Sequence, residues 1–135
     1  VPVPRRGSID APIGRSPRDR KKMAVTAKGR SAVTHYEVIE DFGDIALVAC
    51  KLETGRTHQI RVHMAHIKHP VVGDAAYGKG RVSAKYKELQ KFQRQALHAV
   101  ELCFIHPRTG KLKKYESKMP KDIETILRHL RKAKA

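Results

Sequence analysis

The chain has 135 residues, with 29 Lys+Arg against 13 Asp+Glu, a formal charge of +16, and 40% hydrophobic residues. That is one ordinary domain or a piece of a larger one, apolar enough to exclude generic disorder and basic enough to make a polyanion the natural partner. The longest apolar run, Ile45 to Cys50, is far short of the about 20 residues a membrane helix needs. In chain order, residues 1–22 read as an extended basic arm, because Pro2, Pro4, Pro12 and Pro17 interrupt any helix and Gly7 and Gly14 add turn chemistry. This arm is expected to carry charge and not core, with residues 23–135 forming the folded portion. Val33, Tyr36, Val38 and Ile39 favour a strand between Ser31 and Glu40, and Asp41-Phe42-Gly43-Asp44 turns the chain into an apolar strand from Ile45 to Leu52. Ile60, Met64 and Ile67 then fall at i, i+4 and i+7, the spacing of a short helix that Thr57 can cap and that ends before Pro70. The alternation Ile60, Val62, Met64 keeps a strand open as the other reading. A glycine-punctuated loop from Gly73 to Gly80 leads into a helix near Ala84 to Gln95. Leu97 to Ile105 reads as a strand, His106 to Gly110 as a turn, and Lys111 to Ser117 as its returning partner. Pro120 opens a last helix with an Ile123, Ile126, Leu127, Leu130 stripe and Lys and Arg at its end. The fold class is α+β, a mixed but mainly antiparallel sheet with flanking helices.

Charge is segregated along the chain. Residues 1–30 hold nine Lys/Arg against two Asp, residues 31–50 hold four acids and no Lys or Arg, and residues 107–135 hold ten Lys/Arg against three acids. Such asymmetry favours nucleic-acid binding over merely solvated charge, without separating DNA from RNA. Cys50 and Cys103 lie in apolar strand-like runs without CxxC spacing, which points to buried thiols in a reducing compartment and hence to the cytoplasm. The opening VPVPRRGS has neither an initiator Met nor a signal-peptide core, so the chain reads as a fragment.

Three constellations invite chemistry and two of them fail. His58, His63, His66 and His69 fall within twelve residues, but no acidic or thiolate ligand accompanies them at metal-site spacing, so separate hydrogen-bonding histidines are the better reading. Gly73-Asp74-Ala75-Ala76-Tyr77-Gly78-Lys79 matches a Walker A loop until Gly80, where a Ser or Thr should ligate magnesium, and no hydrophobic strand precedes it. No GxSxG, HExxH or dinucleotide GxGxxG occurs.

The third is LETGRTHQIRVHMAHIKHPVVGDAAYG, Leu52 to Gly78. It resembles, almost position for position, the signature of the RluA/RsuA-type pseudouridine synthases, and within them the D-type enzymes that act on the large ribosomal RNA. GSIDAPIGRSPRDRKKMAV, GRSAVTHYEV and KFQRQALHAVELCFIHPRTG resemble the same family's successive blocks. The resemblance runs from about Arg6 to Leu130 and implies the C-terminal part of a synthase catalytic domain, isomerising uridine in large-subunit ribosomal RNA without metal or organic cofactor.

The family's nucleophilic aspartate stands in an Arg-Leu-Asp sequence, which is absent here. The resemblance places that block, and the base-stacking tyrosine, upstream of residue 1. Asp10, Asp19, Asp41, Asp44, Asp74 and Asp122 are therefore given no nucleophilic role, and the isolated chain is expected to be inactive. Arg61 matches the arginine that pairs with the nucleophile, a role that suits a permanently charged, planar donor fork. Arg56 and His58, beside a glycine turn that brings backbone and side chains close to a polyanion, suit contacts with RNA phosphate or ribose near the pocket; Leu102 resembles a position that packs against the target base, core packing being the equally good reading for a strand leucine. The alternative is a non-catalytic basic RNA-binding module.

Overall fold

The computed structural model describes residues 2, 4–19, 21–43, 45–78, 95–97, 101–105, 112–116 and 119–134, with 101–105, 112–116 and 133–134 described by backbone alone. The chain divides into two compact units, Val1–Gln95 and Ala96–Ala135. In the first, strands β1 (Arg6–Asp10), β4 (Val33–Asp41) and β5 (Ala46–Leu52) form an antiparallel sheet in the order β1-β4-β5, while β2 (Ile13–Arg15) and β3 (Met23–Val25) make a separate antiparallel ribbon. Helix α1 (Gln59–His66) packs on β3 and β4. In the second unit, β6 (Glu101–Ile105) pairs antiparallel with β7 (Leu112–Glu116), and α2 (Lys121–Lys134) follows. Every described pairing is antiparallel; with the two helices this is the α+β class.

The expected hairpin is β4–β5. Its turn is set by the Asp41 carboxylate, which accepts the Gly43 N–H at 2.7 Å, with Gly43 at φ 95° where a glycine is favoured. Between Val38 and Glu40 the register slips, so Ile39 is the extra residue of a bulge and stands exposed. The two faces of the sheet differ, as expected where one side is solvated. Ile9, Thr34 and Tyr36 point inward with Val48 and Cys50. The outer face carries Arg6 beside Glu37 at 3.8 Å and a chain from Ser8 through His35 to Glu53, at 2.6 and 3.2 Å. Burial pushes the Cys50 thiol above its ordinary pKa, so it stays protonated and inert.

Residues 1–22 depart from the expected arm. Arg6–Asp10 and Ile13–Arg15 are paired strands, and Ile9, Ala11 and Ile13 are core residues. Each is worth roughly 1–3 kcal/mol of apolar burial. One cluster joins Ile9, Ala11, Tyr36 and Met64, packed by Ile60, Ile67 and Val71; a second joins Ile13, Ala32 and Val62, packed by Met23 and Tyr77. The ribbon closes over Gly29, where an added methyl would sit 2.6 Å from the Ile13 carbonyl oxygen and 2.8 Å from the Gly14 nitrogen. Backbone cannot yield there as a side chain could. Gly29→Ala is therefore expected to cost about 1–3 kcal/mol as an overpacking change, readable as a lowered urea midpoint with unchanged m-value.

Helix α1 confirms the helical reading of residues 60–67 over the strand. Its start differs, because the N-cap is His58, in the left-handed region at φ 54° and without a side-chain cap, so Thr57 does not cap it. In α2 the expected stripe, Ile123, Ile126, Leu127 and Leu130, is buried. The Pro120 carbonyl accepts the Glu124 N–H at 3.0 Å, and Asp122 and Glu124 in the first turn complement the helix dipole. Among the described residues no helix is long and apolar enough to cross a membrane. The expected helix over Ala84–Gln95 and the His106–Gly110 turn lie outside the described residues, Gln95 apart.

Candidate active site

The motif Thr54 to Gly78 folds as a loop, helix α1 and a second loop, and most of its polar residues satisfy one another. Gln59 is nearly fully buried in the first turn of α1. Its amide donates to the Val33 carbonyl and to Thr34 Oγ1, each at 3.0 Å. Its Oε1 accepts from Thr54 Oγ1 at 2.7 Å and from the Arg56 N–H at 3.0 Å. Thr54 Oγ1 in turn accepts the Val33 N–H at 3.0 Å. One turn later, His63 is wholly buried, with Nε2 2.8 Å from the Ala11 carbonyl and Nδ1 2.7 Å from Thr34 Oγ1. A carbonyl only accepts, so Nε2 carries the proton and Nδ1 accepts from the threonine hydroxyl. Burial, the largest influence, holds the His63 pKa below its ordinary value, so the ring is neutral. Buried polar groups cost least when every member is paired, as here.

Arg61, on the opposite side of α1 from this network, reaches the Gly73–Gly78 loop. Its Nε donates to Asp74 Oδ2 at 2.8 Å and its Nη2 to Asp74 Oδ1 at 2.9 Å. The Asp74 side chain has no solvent exposure and that of Arg61 has 16%. Oδ1 also accepts the N–H groups of Ala76 and Tyr77, each at 3.2 Å. Burial alone would raise the Asp74 pKa; the Arg61 fork and charge and the two backbone donors outweigh it and hold the carboxyl below its usual range. Arg61 is correspondingly raised, first by its hydrogen bond to Asp74. The guanidinium lies over the Tyr77 ring, 5.0 Å from its centroid.

Tyr77 ties the pair to its surroundings. Its hydroxyl accepts the Met23 N–H at 3.1 Å and lies 2.8 Å from His58 Nδ1. Lys22 Nζ donates to the Ala76 carbonyl at 2.9 Å. The β2–β3 ribbon, with exposed Arg15, Arg18, Lys21, Lys28 and Arg30 on its strands and connections, is thus anchored beside Arg61. The sequence residues fare unequally. Arg61 and His58 are brought together around Tyr77. Arg56 is half-buried, its Nε donating to the Ser31 carbonyl at 2.9 Å, which commits part of its donor fork to the protein. Leu102 lies on β6 opposite Tyr115, in the second unit; its side chain is outside the described residues. Asp74 and Tyr77 were missed because their loop reads as a glycine-rich connection. The usable signal was an acid two residues before Ala76 and three before an aromatic, the spacing of an Asx-type turn.

The loop is not a phosphate cradle, since its Ala76 and Tyr77 N–H groups face the Asp74 carboxylate. Among the described residues no group of three or more His, Cys, Asp or Glu could hold a metal ion. Asp74 itself is no nucleophile, because its side chain is sealed from solvent and both oxygens are engaged.

Residues 1–66 match the family model for RNA pseudouridylate synthase. The ribosomal large subunit pseudouridine synthase D of Xanthomonas campestris pv. campestris is 50% identical over 135 residues, covering 96% of this chain and 41% of that protein. The enzyme of the same name from Escherichia coli K12 is 46% identical over 131 residues, covering 93% and 40%. In solved structures, human RNA Pseudouridylate Synthase Domain Containing 4 superposes with a TM-score of 0.73 at 25% identity, over 97% of this chain and 58% of that one. The chain is thus similar to the RNA pseudouridylate synthase family. It is likewise similar to these two D-type synthases and spans about two fifths of their length.

Proposed function

We propose that the protein to which this chain belongs converts uridine to pseudouridine in structured large-subunit ribosomal RNA, in the cytoplasm, and that this chain supplies the Arg61 side of the catalytic pocket. The reaction is an isomerisation. The bond from ribose C1′ to N1 breaks, C1′ rejoins the ring at C5, and the hydrogen at C5 leaves as a proton while N1 gains one. The observation that carries this reading is Arg61, a guanidinium nearly buried and rigidly held at the foot of a basic ribbon. There it would keep a nucleophilic carboxylate ionised and aimed. Such a carboxylate comes from the Arg-Leu-Asp block, which this sequence does not contain. His58, Arg56 and the ribbon lysines and arginines would contact phosphate and ribose, and Leu102 would pack on the base.

The test is tritium release from ribosomal RNA labelled at C5 of uridine, run on this chain and on the longer protein, alongside RNA dissociation constants over a salt series. The expected result is release by the longer protein alone. Binding by both should weaken roughly ten-fold or more between 50 and 200 mM salt, as counterion release requires. Release by residues 1–135 alone would place the nucleophile within this chain. Salt-independent binding, or no release by the longer protein, would favour a different role for the basic surface.

A further inference from the structure

A guanidinium offers two bidentate edges, a side-on edge of Nε and Nη2 and an end-on edge of Nη1 and Nη2. In Arg61 the side-on edge is filled by Asp74, and the Tyr77 ring lies across one face. Nη1 and the second hydrogen of Nη2 have no acceptor among the described residues. The fork can turn only if Asp74 turns, and Asp74 is pinned by two backbone N–H groups and by complete burial. The orientation of Arg61 is therefore dictated by a carboxylate thirteen residues away on a separate loop.

We propose that Asp74 is the positioning residue of the site. It occupies the side-on edge of Arg61 so that the end-on edge alone is presented to the nucleophilic carboxylate, one guanidinium being shared between two acids. This rests on the role assigned to Arg61 above and deepens it. Sharing has an electrostatic consequence. One positive charge divided between two carboxylates lowers the nucleophile's pKa less than an undivided one would, leaving it more basic and so a better nucleophile. Among the described residues, the charged and titratable groups facing the pair are Tyr77 on the loop, His58 at the start of α1, bonded to Tyr77, and Lys22 before β3, bonded to the Ala76 carbonyl. None of the three is itself altered by a substitution at Asp74.

The experiment is Asp74→Asn in the longer protein, with kcat, KM for RNA and the pH dependence of kcat. Asparagine keeps an acceptor for the backbone N–H groups but not the charge or the second oxygen acceptor. Expected is a fall in kcat of roughly ten-fold or more with KM within about two-fold, because the loss is felt in the chemical step. The acidic limb of the kcat profile should move to lower pH, because Arg61 now serves one carboxylate. A loss that follows melting temperature with the acidic limb unmoved would mean that Asp74 is only structural, and unchanged kcat would likewise overturn the proposal. If Asp74→Asn fails to fold, Arg61→Lys decides. An ammonium drawn to the buried Asp74 carboxylate cannot also present a fork, so kcat should again fall about ten-fold, and activity within two-fold of wild type would overturn the proposal. If Arg61→Ala is itself fully active, the assigned role of Arg61 fails instead, which separates the two claims.

Discussion

Arg61→Ala in the longer protein is expected to remove turnover and to weaken the fold together. In the role proposed for Arg61, the nucleophile would lose its cationic partner, its pKa would rise, and the rate should drop by about 10²-fold or more, as for loss of a preorganised charge contact. On the structural side, the substitution leaves Asp74 buried with, among the described residues, only the Ala76 and Tyr77 N–H groups as partners. Breaking a buried ion pair from one side costs about 3–5 kcal/mol, and the 16% exposure of Arg61 places this case at the low end. RNA affinity should change little, since one charge among 29 Lys+Arg is lost. Single-turnover tritium release, thermal unfolding and RNA titration separate the three effects. Normal turnover in a folded Arg61→Ala protein would show that the guanidinium does not serve the nucleophile.

The second large effect is expected at His63, far from any reacting atom. His63→Ala opens a cavity and leaves the Ala11 carbonyl and the Thr34 hydroxyl each without one partner, a combined cost of about 3–5 kcal/mol. Against the roughly 5–15 kcal/mol that holds a domain together, that is a large fraction. The same residue makes stability depend on pH, with a definite sign. Its folded pKa lies below the ordinary value of 6.5 because burial penalises the imidazolium. Its contribution is therefore fully present above the unfolded pKa, and falls as pH drops from about 6.5 towards the lower folded value, because the unfolded chain takes up a proton that the folded one refuses. His69, also lowered first by burial, adds in the same direction. Chemical denaturation at pH 7.5 and pH 5.5 should show a smaller pH dependence in His63→Gln than in the wild type. An identical dependence would mean that the network admits a charged imidazole.

Much of the fold could be read from side-chain periodicity. β4 was legible from its β-branched and aromatic residues, β5 from its continuous apolar run, and α2 because its apolar stripe recurs at helical spacing. The first 22 residues misled because prolines and arginines dominate the eye; Ile9, Ala11 and Ile13 alternate strictly, the strand signal that composition obscured. The start of α1 was misassigned for a different reason. A capping rule looks for a side chain before the helix, whereas here Gln59, inside its first turn, accepts the Arg56 N–H with its own amide oxygen. At the site, Arg61 was marked by resemblance, but its partner within the chain could not be. Nothing local distinguishes an aspartate in a glycine-rich loop that faces solvent from one that folds back onto a helix.

The hydroxyl of Tyr77 has a kinetic consequence. It joins Met23 across 54 residues, as Lys22 joins Ala76, and His63 reaches Ala11 across 52. Contacts of such sequence separation incur their loop-closure entropy before any local element offsets it. The β4–β5 hairpin and α1 can form from neighbours, and Arg61 meets Asp74 across thirteen residues, but the contacts that Tyr77 and Ala76 make with the ribbon beside that pair form only when both have arrived. The pocket wall is thus among the last parts of this unit to assemble. A nascent or partly unfolded chain would carry its basic charge before it carries the fixed Arg61–Asp74 geometry.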